Sequence, residues 1–200
     1  MRAAKAGAVA LTMLCAVAVP GSDVAATNWS GRTGSEGSCS GVNETDNSTL
    51  TYHRNSLTAN NYSSVAWNIN ENVIPTALNV QAEHNPEQTD TDIVFVDANY
   101  STTCGADWHP DSSDPGTTSV IGRMSCLDAS GNGGSCNKAL VRFDTSWSDI
   151  ASTTRLRHNA CHETGHAFGL YHKDAGGSCM GGFSTTAYST HDQNHISNDL

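Results

Sequence analysis

Three histidines and one glutamate stand together in the last quarter of the chain, in a segment that reads HETGHAFGLYH from His162 to His172. His162 and His166 are four residues apart, so on an α-helix both imidazoles lie on one face and can bind the same metal ion. Glu163 follows the first histidine, which places its carboxylate beside such an ion rather than on it. Zinc prefers imidazole ligands, and a neighbouring carboxylate can serve as a general base. The segment therefore predicts a catalytic zinc site.

The third histidine can reach the same ion only if the chain turns. His172 lies six residues beyond His166, which is not a whole number of helical turns, so a continuous helix would point it elsewhere. Gly169 adopts a positive φ at low cost, and we expect it to end the helix and to bring His172 back. Three imidazoles then leave a fourth position for water, as a catalytic zinc site requires.

Helices and strands that could position this segment follow from the apolar pattern. Spacings of three and four predict a helix over Tyr62 to Leu78, with Pro75 disturbing its last turn, and a second helix over Thr153 to Phe168. Ser189 to Asp192 forms a capping-box pattern that predicts a short last helix. Alternating or continuous apolar runs predict strands at Leu50–His53, Val80–Ala82, Asp92–Asp97, Val120–Cys126 and Ala139–Phe143.

The N-terminal segment is typical of an export signal. In residues 1–26, Arg2 and Lys5 precede an apolar run that is shorter than the roughly 20 residues of a membrane-spanning helix. We therefore expect a secreted, extracellular protein with no membrane partner, an irregular lead over residues 27–49 and one catalytic domain over residues 50–200. The net charge of −10 also argues against nucleic acid as a partner.

Six of the seven cysteines follow the predicted signal, and an even number in an oxidising compartment indicates three disulfides. The competing interpretation, a thiolate metal site, lacks the usual CxxC pair. Cys126 and Cys136 bracket a glycine-rich segment, and we expect them to close it as a loop. Six cysteines allow 15 pairings, and the sequence alone does not choose among the rest.

The motif HExxHxxGxxH resembles that of the metzincin clan of zinc endopeptidases, most nearly its matrixin-like members. The methionine in Ser178-Cys179-Met180-Gly181 is similar to the Met-turn methionine beneath the zinc of that clan. Residues 92–96 and 139–144 also resemble its sheet strands. The resemblance implies an α+β fold, in which a twisted mixed β-sheet is backed by two long helices, with a small C-terminal subdomain.

The same resemblance implies a disulfide between Cys161 and Cys179, because Cys161 precedes the first ligand and Cys179 precedes Met180. Cys39 and Cys104 are left to pair with each other. It further implies one catalytic Zn²⁺, a monomer, and protein or peptide substrates that are cleaved by metal-activated water with Glu163 as the base.

Several positions depart from the matrixin pattern. Arg123 and Arg142 stand where matrixins carry histidines for a second, structural zinc, and only His109-Pro110-Asp111 resembles part of that site. Asp144 lacks the acidic neighbours of a calcium site, so Ca²⁺ has no support here. Gly182 occupies the place of an additional tyrosine ligand, and we interpret Tyr188 as a packing residue. The remaining histidines, His53, His84, His109, His158, His191 and His195, are expected to be solvated.

Two other functions remain open at this point. One is a zinc amidase that acts on cell-wall peptides, since a ligand set fixes the reaction class better than the substrate. The other is a non-catalytic, disulfide-stabilised binding protein. The presence of Glu163 argues against this second alternative, because a purely structural zinc site has no use for a base.

Overall fold

The computed structural model describes residues 44–81, 91–100, 102–103, 106–107, 120–130, 135–172, 177–182 and 184–200. The predicted signal and most of the predicted lead lie outside these residues. So do both members of the expected pair Cys39–Cys104, together with His84 and His109. In the part of the chain that the structure describes, no helix is long and apolar enough to cross a membrane.

The described strands all lie before residue 145, with one helical segment among them, and three helices follow. The strands are β1 (Thr49–Leu50), β2 (Tyr52–Arg54), β3 (Asn79–Val80), β4 (Ile93–Ala98), β5 (Thr102–Thr103), β6 (Ala106–Asp107), β7 (Gly122–Asp128) and β8 (Lys138–Asp144). The helices are α1 (Ala59–Asn68), which continues as a π-helical turn over Ile69–Val73, then α2 (Thr145–Ser148), α3 (Thr153–Ala167) and α4 (Thr190–Asn198).

The main sheet has four strands in the order β2-β4-β8-β7. Strands β2, β4 and β8 are parallel, whereas β7 is antiparallel to β8 and forms an edge. Val141 of β8 is opposite Phe95 on one side and Met124 on the other. The expectation of a twisted mixed sheet in an α+β fold is therefore confirmed. Two-stranded pairs, β1 with β3 and β5 with β6, complete the described strands.

Helix α3 packs against α1 and against the β7 and β8 end of the sheet. Both helices contribute to one apolar core with the sheet strands. The fully buried members are Phe95, Phe143, Val141 and Met124 from the sheet, Val65, Ile69 and Val73 from the first helical segment, and Ala160, Ala167 and Phe168 from the end of the chain. This packing fixes the helix that carries HExxH against an edge of the sheet.

Tertiary hydrogen bonds move the boundaries of several predicted elements. The backbone N–H and the hydroxyl of Thr58 both donate to Asp97 Oδ2 on β4, and α1 begins at the next residue, three positions before the predicted start. The helical segment ends at Val73, ahead of Pro75, rather than at Leu78. The prediction of its C-terminal end was wrong because proline cannot continue the ladder.

The predicted strand over residues 50–53 is divided between two sheets. Thr51 donates its N–H and its hydroxyl to Asp92 Oδ2, at 2.6 and 2.8 Å, and accepts from the backbone N–H of Asp92 at 3.0 Å. Asp92 takes part in these hydrogen bonds with Thr51, and strand β4 begins at the next residue, Ile93. Burial raises the pKa of the Asp92 carboxyl, although its bonds from Thr51 oppose this.

The last part of the predicted lead is docked on the domain. Thr45 donates its backbone N–H to the carbonyl of Ala167 at 3.0 Å, and the carbonyl of Glu44 accepts from Cys136 at 2.9 Å. Both Glu44 and Thr45 are buried. Residue 49 belongs to β1, so regular structure begins one residue ahead of the predicted boundary at residue 50.

The capping box predicted for the last helix is confirmed. Ser189 Oγ accepts from the backbone N–H of Asp192, and the Asp192 carboxylate accepts from the backbone N–H of Ser189. Asp192 is fully buried and also accepts from the hydroxyl of Ser178. One carboxylate therefore fixes the start of α4 and the chain around residue 178.

A buried polar contact joins α1 to α3. Asn68 donates from Nδ2 to the Thr164 hydroxyl at 3.1 Å, and its Oδ1 accepts from Asn72 at 2.9 Å. Asn72 donates again to the carbonyl of Thr186 at 2.8 Å. A row of buried amides thus connects the first helical segment to α3 and to the segment before α4.

We predict that Asn68→Ala destabilises the protein by about 1–3 kcal/mol, because it removes one hydrogen bond from each of two buried side chains, those of Thr164 and Asn72. Asn70→Ala is the matched control, since Asn70 lies in the adjoining π-helical turn with its side chain exposed. Urea denaturation of both variants measures the difference. Equal free energies of unfolding for the two variants would contradict the structural role of Asn68.

Candidate metal centre

Helix α3 presents the predicted ligands from its last two turns. Ser152 is its N-cap, with a side chain that accepts from the backbone N–H of Arg155, and the helix runs to Ala167. His166 is buried on the helix, whereas His162 and His172 are more accessible. The three imidazoles form a group that could hold a metal ion, and it is the only group of three or more such side chains among the described residues.

The helix ends in the turn that the sequence predicted at Gly169. This glycine has a φ of 80°, in the left-handed region. Its N–H donates to the carbonyl of His166 at 3.1 Å, and the N–H of Leu170 donates to that of Gly165 at 3.0 Å. These two bonds define a Schellman motif, which reverses the chain after the helix. The reversal brings His172 to the other two histidines.

The Nε2 atoms of the three histidines converge on one point. Nε2 of His162 lies 3.2 Å from that of His166 and 3.1 Å from that of His172, and the remaining pair is 3.1 Å apart. This nearly equilateral triangle has the dimensions of three nitrogens around one small cation.

Backbone carbonyls hold the opposite ring nitrogens of two ligands. His162 Nδ1 lies 2.8 Å from the carbonyl oxygen of Cys179, and His166 Nδ1 lies 2.7 Å from that of Leu170. A carbonyl oxygen only accepts, so each Nδ1 carries the proton and each neutral ring keeps its lone pair on Nε2. Lone pairs that point at one another are unfavourable unless a cation lies between them, so this arrangement fits a metal ion.

Burial keeps these imidazoles neutral. Loss of solvent lowers the pKa of His166 to about 3, with the neighbouring His162 adding to the effect. The pKa values of His162 and His172 are also lowered, mainly by burial. Neutral imidazole is the form that binds metal, so little free energy is spent on deprotonating the ligands at neutral pH.

The segment around Met180 packs directly beneath the ligands. A Cβ at Gly165 would lie 2.3 Å from Met180 Sδ, so only glycine allows this contact on the helix. The backbone N–H of Met180 donates to Ser178 Oγ at 3.0 Å, and Cys179 N donates to the carbonyl of Ala187 at 2.8 Å. The methionine that the sequence placed under the metal therefore lies against the helix segment between the two ligands.

Two disulfides are present among the described residues, and they are two of the expected pairs. Cys126 is bonded to Cys136 across the glycine-rich segment, and Cys161 is bonded to Cys179. Because Cys179 also supplies the carbonyl that accepts from His162, the second disulfide fixes the distance between that acceptor and the helix.

Glu163 lies against the edge strand β7 of the sheet. Its carboxylate accepts a hydrogen bond from the backbone N–H of Met124 on β7, and Arg123 provides a nearby positive charge. Burial outweighs both and raises the pKa of Glu163 to about 8. Gly122 makes this approach possible, since a Cβ there would lie 2.8 Å from Glu163 Cγ and 2.6 Å from Asn159 Oδ1.

A further histidine of this region, His158, was not predicted from the sequence to lie near the three others. His158 was expected to be solvated, which was wrong: its side chain is buried, its Nδ1 lies 2.6 Å from the carbonyl of Thr185, and its ring stacks on that of His162. The i,i+4 spacing to His162 was the available signal. Its partner comes from a segment 27 residues away, which spacing does not reveal.

Other residues singled out in the sequence lie outside the triangle. Tyr188 is buried and donates its hydroxyl to the carbonyl of Cys161 at 2.9 Å, in a packing position. Arg142 donates to Ser125 Oγ across the strand pair. Asp144 accepts from the backbone N–H of Ser146 and caps α2.

We predict that Gly169→Ala lowers both stability and metal affinity, because a side chain in the left-handed region costs about 1–2 kcal/mol and strains the turn that returns His172. Gly182→Ala is the control, since no atom lies within 4 Å of its added Cβ. Thermal unfolding and chelator competition measure the two effects. Equal melting temperatures and affinities in both variants would contradict the role of the turn.

We predict a specific pH dependence for the metal-free protein. A carboxyl whose pKa rises from 4.5 to about 8 on folding keeps its proton in the folded state, so stability falls as pH rises between these values. Glu163→Gln removes this loss and stabilises the metal-free protein at pH 8 by at most about 4 kcal/mol, at about 1.4 kcal/mol per pKa unit. Chemical denaturation of the chelator-treated variants should show almost no difference near pH 4.

Comparisons with known proteins identify no family for this chain. A scan against protein-family models finds no match, and a search of curated proteins finds no similar sequence.

Proposed function

We propose that the protein is a secreted, zinc-dependent endopeptidase of the metzincin type, similar to matrixins. The convergence of three imidazole Nε2 atoms at 3.1 to 3.2 Å, with a buried carboxylate on the adjacent helix residue, carries this proposal. The mixed sheet, the helix that ends at a left-handed glycine and the methionine beneath the ligands also support it.

The ligand spacing suits zinc. For zinc–nitrogen bonds of 2.0–2.1 Å in a tetrahedron, ligand nitrogens lie about 3.3 Å apart, close to the spacing in the triangle. Three protein ligands leave one position for water or substrate, which is the composition of catalytic rather than structural zinc sites. The hydrogen bonds from His162 and His166 to backbone carbonyls orient the rings and raise their basicity.

A zinc ion bound there would supply Lewis-acid chemistry, lowering the pKa of a water molecule and polarising the substrate carbonyl. Glu163 would take the proton of the attacking water and return it to the leaving amine. Burial raises the pKa of Glu163 to about 8, and the positive charge of a bound zinc ion would lower it toward the working pH. Burial also keeps bulk water away from the carboxylate.

The edge strand β7 provides a place for an extended substrate. In an antiparallel pair, alternate residues direct their backbone groups away from the partner strand. Met124 directs its N–H to Glu163, so this side of β7 is the edge beside the general base. A peptide that adds to this edge as a further strand would have its backbone held next to the reacting groups, whatever its side chains.

The remaining features suit an extracellular enzyme. Two disulfides among the described residues are compatible with an oxidising compartment. The acidic net charge of −10 favours peptides over nucleic acids as substrates.

We predict that Glu163→Gln lowers peptidase activity by a factor of about 10² to 10⁴ while zinc content stays near one equivalent. Glutamine keeps the size of the side chain and an oxygen for Met124 N–H, but it cannot accept the proton. His166→Ala should instead lose metal and activity together. Turnover of a mixed peptide library, with zinc measured by atomic absorption after dialysis, tests both variants.

The outcomes of these experiments distinguish an endopeptidase from a cell-wall amidase and from a non-catalytic binding protein. Full activity in Glu163→Gln would contradict the general-base role. A wild-type protein that retains zinc and cleaves cell-wall peptides but no protein-derived peptide would be the amidase. A zinc protein that cleaves neither would be a binding protein.

A further inference from the structure

A second pair of histidines lies on α4, outside the centre described above. His191 and His195 are four residues apart, and Asp199 follows after four more. On a helix this spacing places all three on one face. The sequence analysis treated both histidines as solvated and separate, whereas the structure holds them in ring contact with centroids 4.6 Å apart.

The ring geometry of this pair repeats that of the metal centre. His191 and His195 meet edge to face at an interplanar angle of 89°. His162 and His166 have the same sequence spacing, with centroids 4.7 Å apart and an angle of 83°, and their Nε2 atoms lie 3.2 Å apart. The α4 pair thus shares the sequence spacing and the edge-to-face ring contact of the two helical histidines, but not their Nε2–Nε2 contact.

The second histidine of each pair is oriented in the same way. His166 Nδ1 is held by the Leu170 carbonyl, four residues on, and His195 Nδ1 is held by Asp199 Oδ2, also four residues on, at 2.5 Å. A carboxylate on one ring nitrogen leaves the lone pair of a neutral imidazole on the other, and carboxylate–histidine pairs are a common support of metal ligands.

The Nε2 atom of His191 is buried and has no hydrogen-bond partner among the described residues. A buried ring nitrogen without a partner is unfavourable, and a cation shared with the neighbouring imidazole would satisfy it. Solvent reaches the other side of the pair, since the side chains of His195 and Asp199 are 20% and 34% exposed.

We infer that His191 and His195 form a second metal site, which takes a divalent transition-metal cation of the zinc, nickel and copper type. Imidazole nitrogen selects these ions over magnesium and calcium. Asp199 is a positioning residue that orients His195. Two protein ligands bind more weakly than three, so solvent completes the coordination and dialysis empties this site before the His162 centre. The acidic surface raises the local concentration of cations.

Calorimetric titration of the full chain with Zn²⁺ tests this inference, starting from protein that already holds one dialysis-resistant equivalent. We expect one further, weaker equivalent at about pH 7.5, because neutral imidazole is the form that binds metal. His191→Gln and His195→Gln should each abolish it, and Asp199→Asn should weaken it about 10-fold. His53→Gln, which removes a histidine on β2, should leave it unchanged.

The first equivalent serves as the control for folding, because it must survive in every variant. If the wild-type protein takes up no second equivalent, or if His191→Gln and His195→Gln both retain it, the inference is wrong. Neither result depends on peptidase activity. The proposed peptidase function can therefore fail while the second metal site is confirmed, and the second metal site can fail while the peptidase function is confirmed.

Discussion

The candidate centre depends on two hydrogen bonds from imidazole Nδ1 atoms to backbone carbonyls. They fix the tautomer of His162 and His166, and so direct two of the three Nε2 lone pairs to the place where a cation could bind. Their acceptors are the carbonyls of Leu170 and Cys179, which lie in two different segments after the helix. The turn at Gly169 and the segment around Met180 are therefore parts of the candidate metal site, although neither supplies one of its three histidines.

The segment after the metal ligands is held to the helices at successive residues, which makes that side of the site rigid. The carbonyls of Thr185, Thr186 and Ala187 accept from His158, Asn72 and the Cys179 backbone respectively, and Tyr188 donates to Cys161. Because the contacts end on α3, on the first helical segment and on the chain around Cys179, a shift of this segment would break several bonds at once. The cost of that shift pre-organises the ligands before a metal binds.

Spacing and turn chemistry were enough to predict the parts of the site that are local in sequence. The ligand helix, its end at Gly169 and the capping box at Ser189 follow from contacts within a few residues. The missed features, the buried His158 and the division of the first strand at Thr51, depend on partners 27 and 41 residues away. The sequence pattern carries no signal for such long-range pairings. It also does not reveal that Glu163 contacts the edge strand β7.

The two histidine pairs share a spacing but differ in the side chains that surround them. Both pairs have i,i+4 geometry, with the second ring oriented by an acceptor four residues on. After His166, the left-handed Gly169 reverses the chain and adds a third imidazole. After His195, the helix ends at Asn198, and Asp199 at its C-cap orients His195 instead of adding an imidazole. The expected affinity for a cation is therefore higher where the turn after the helix brings a third histidine to the pair than where the helix offers two.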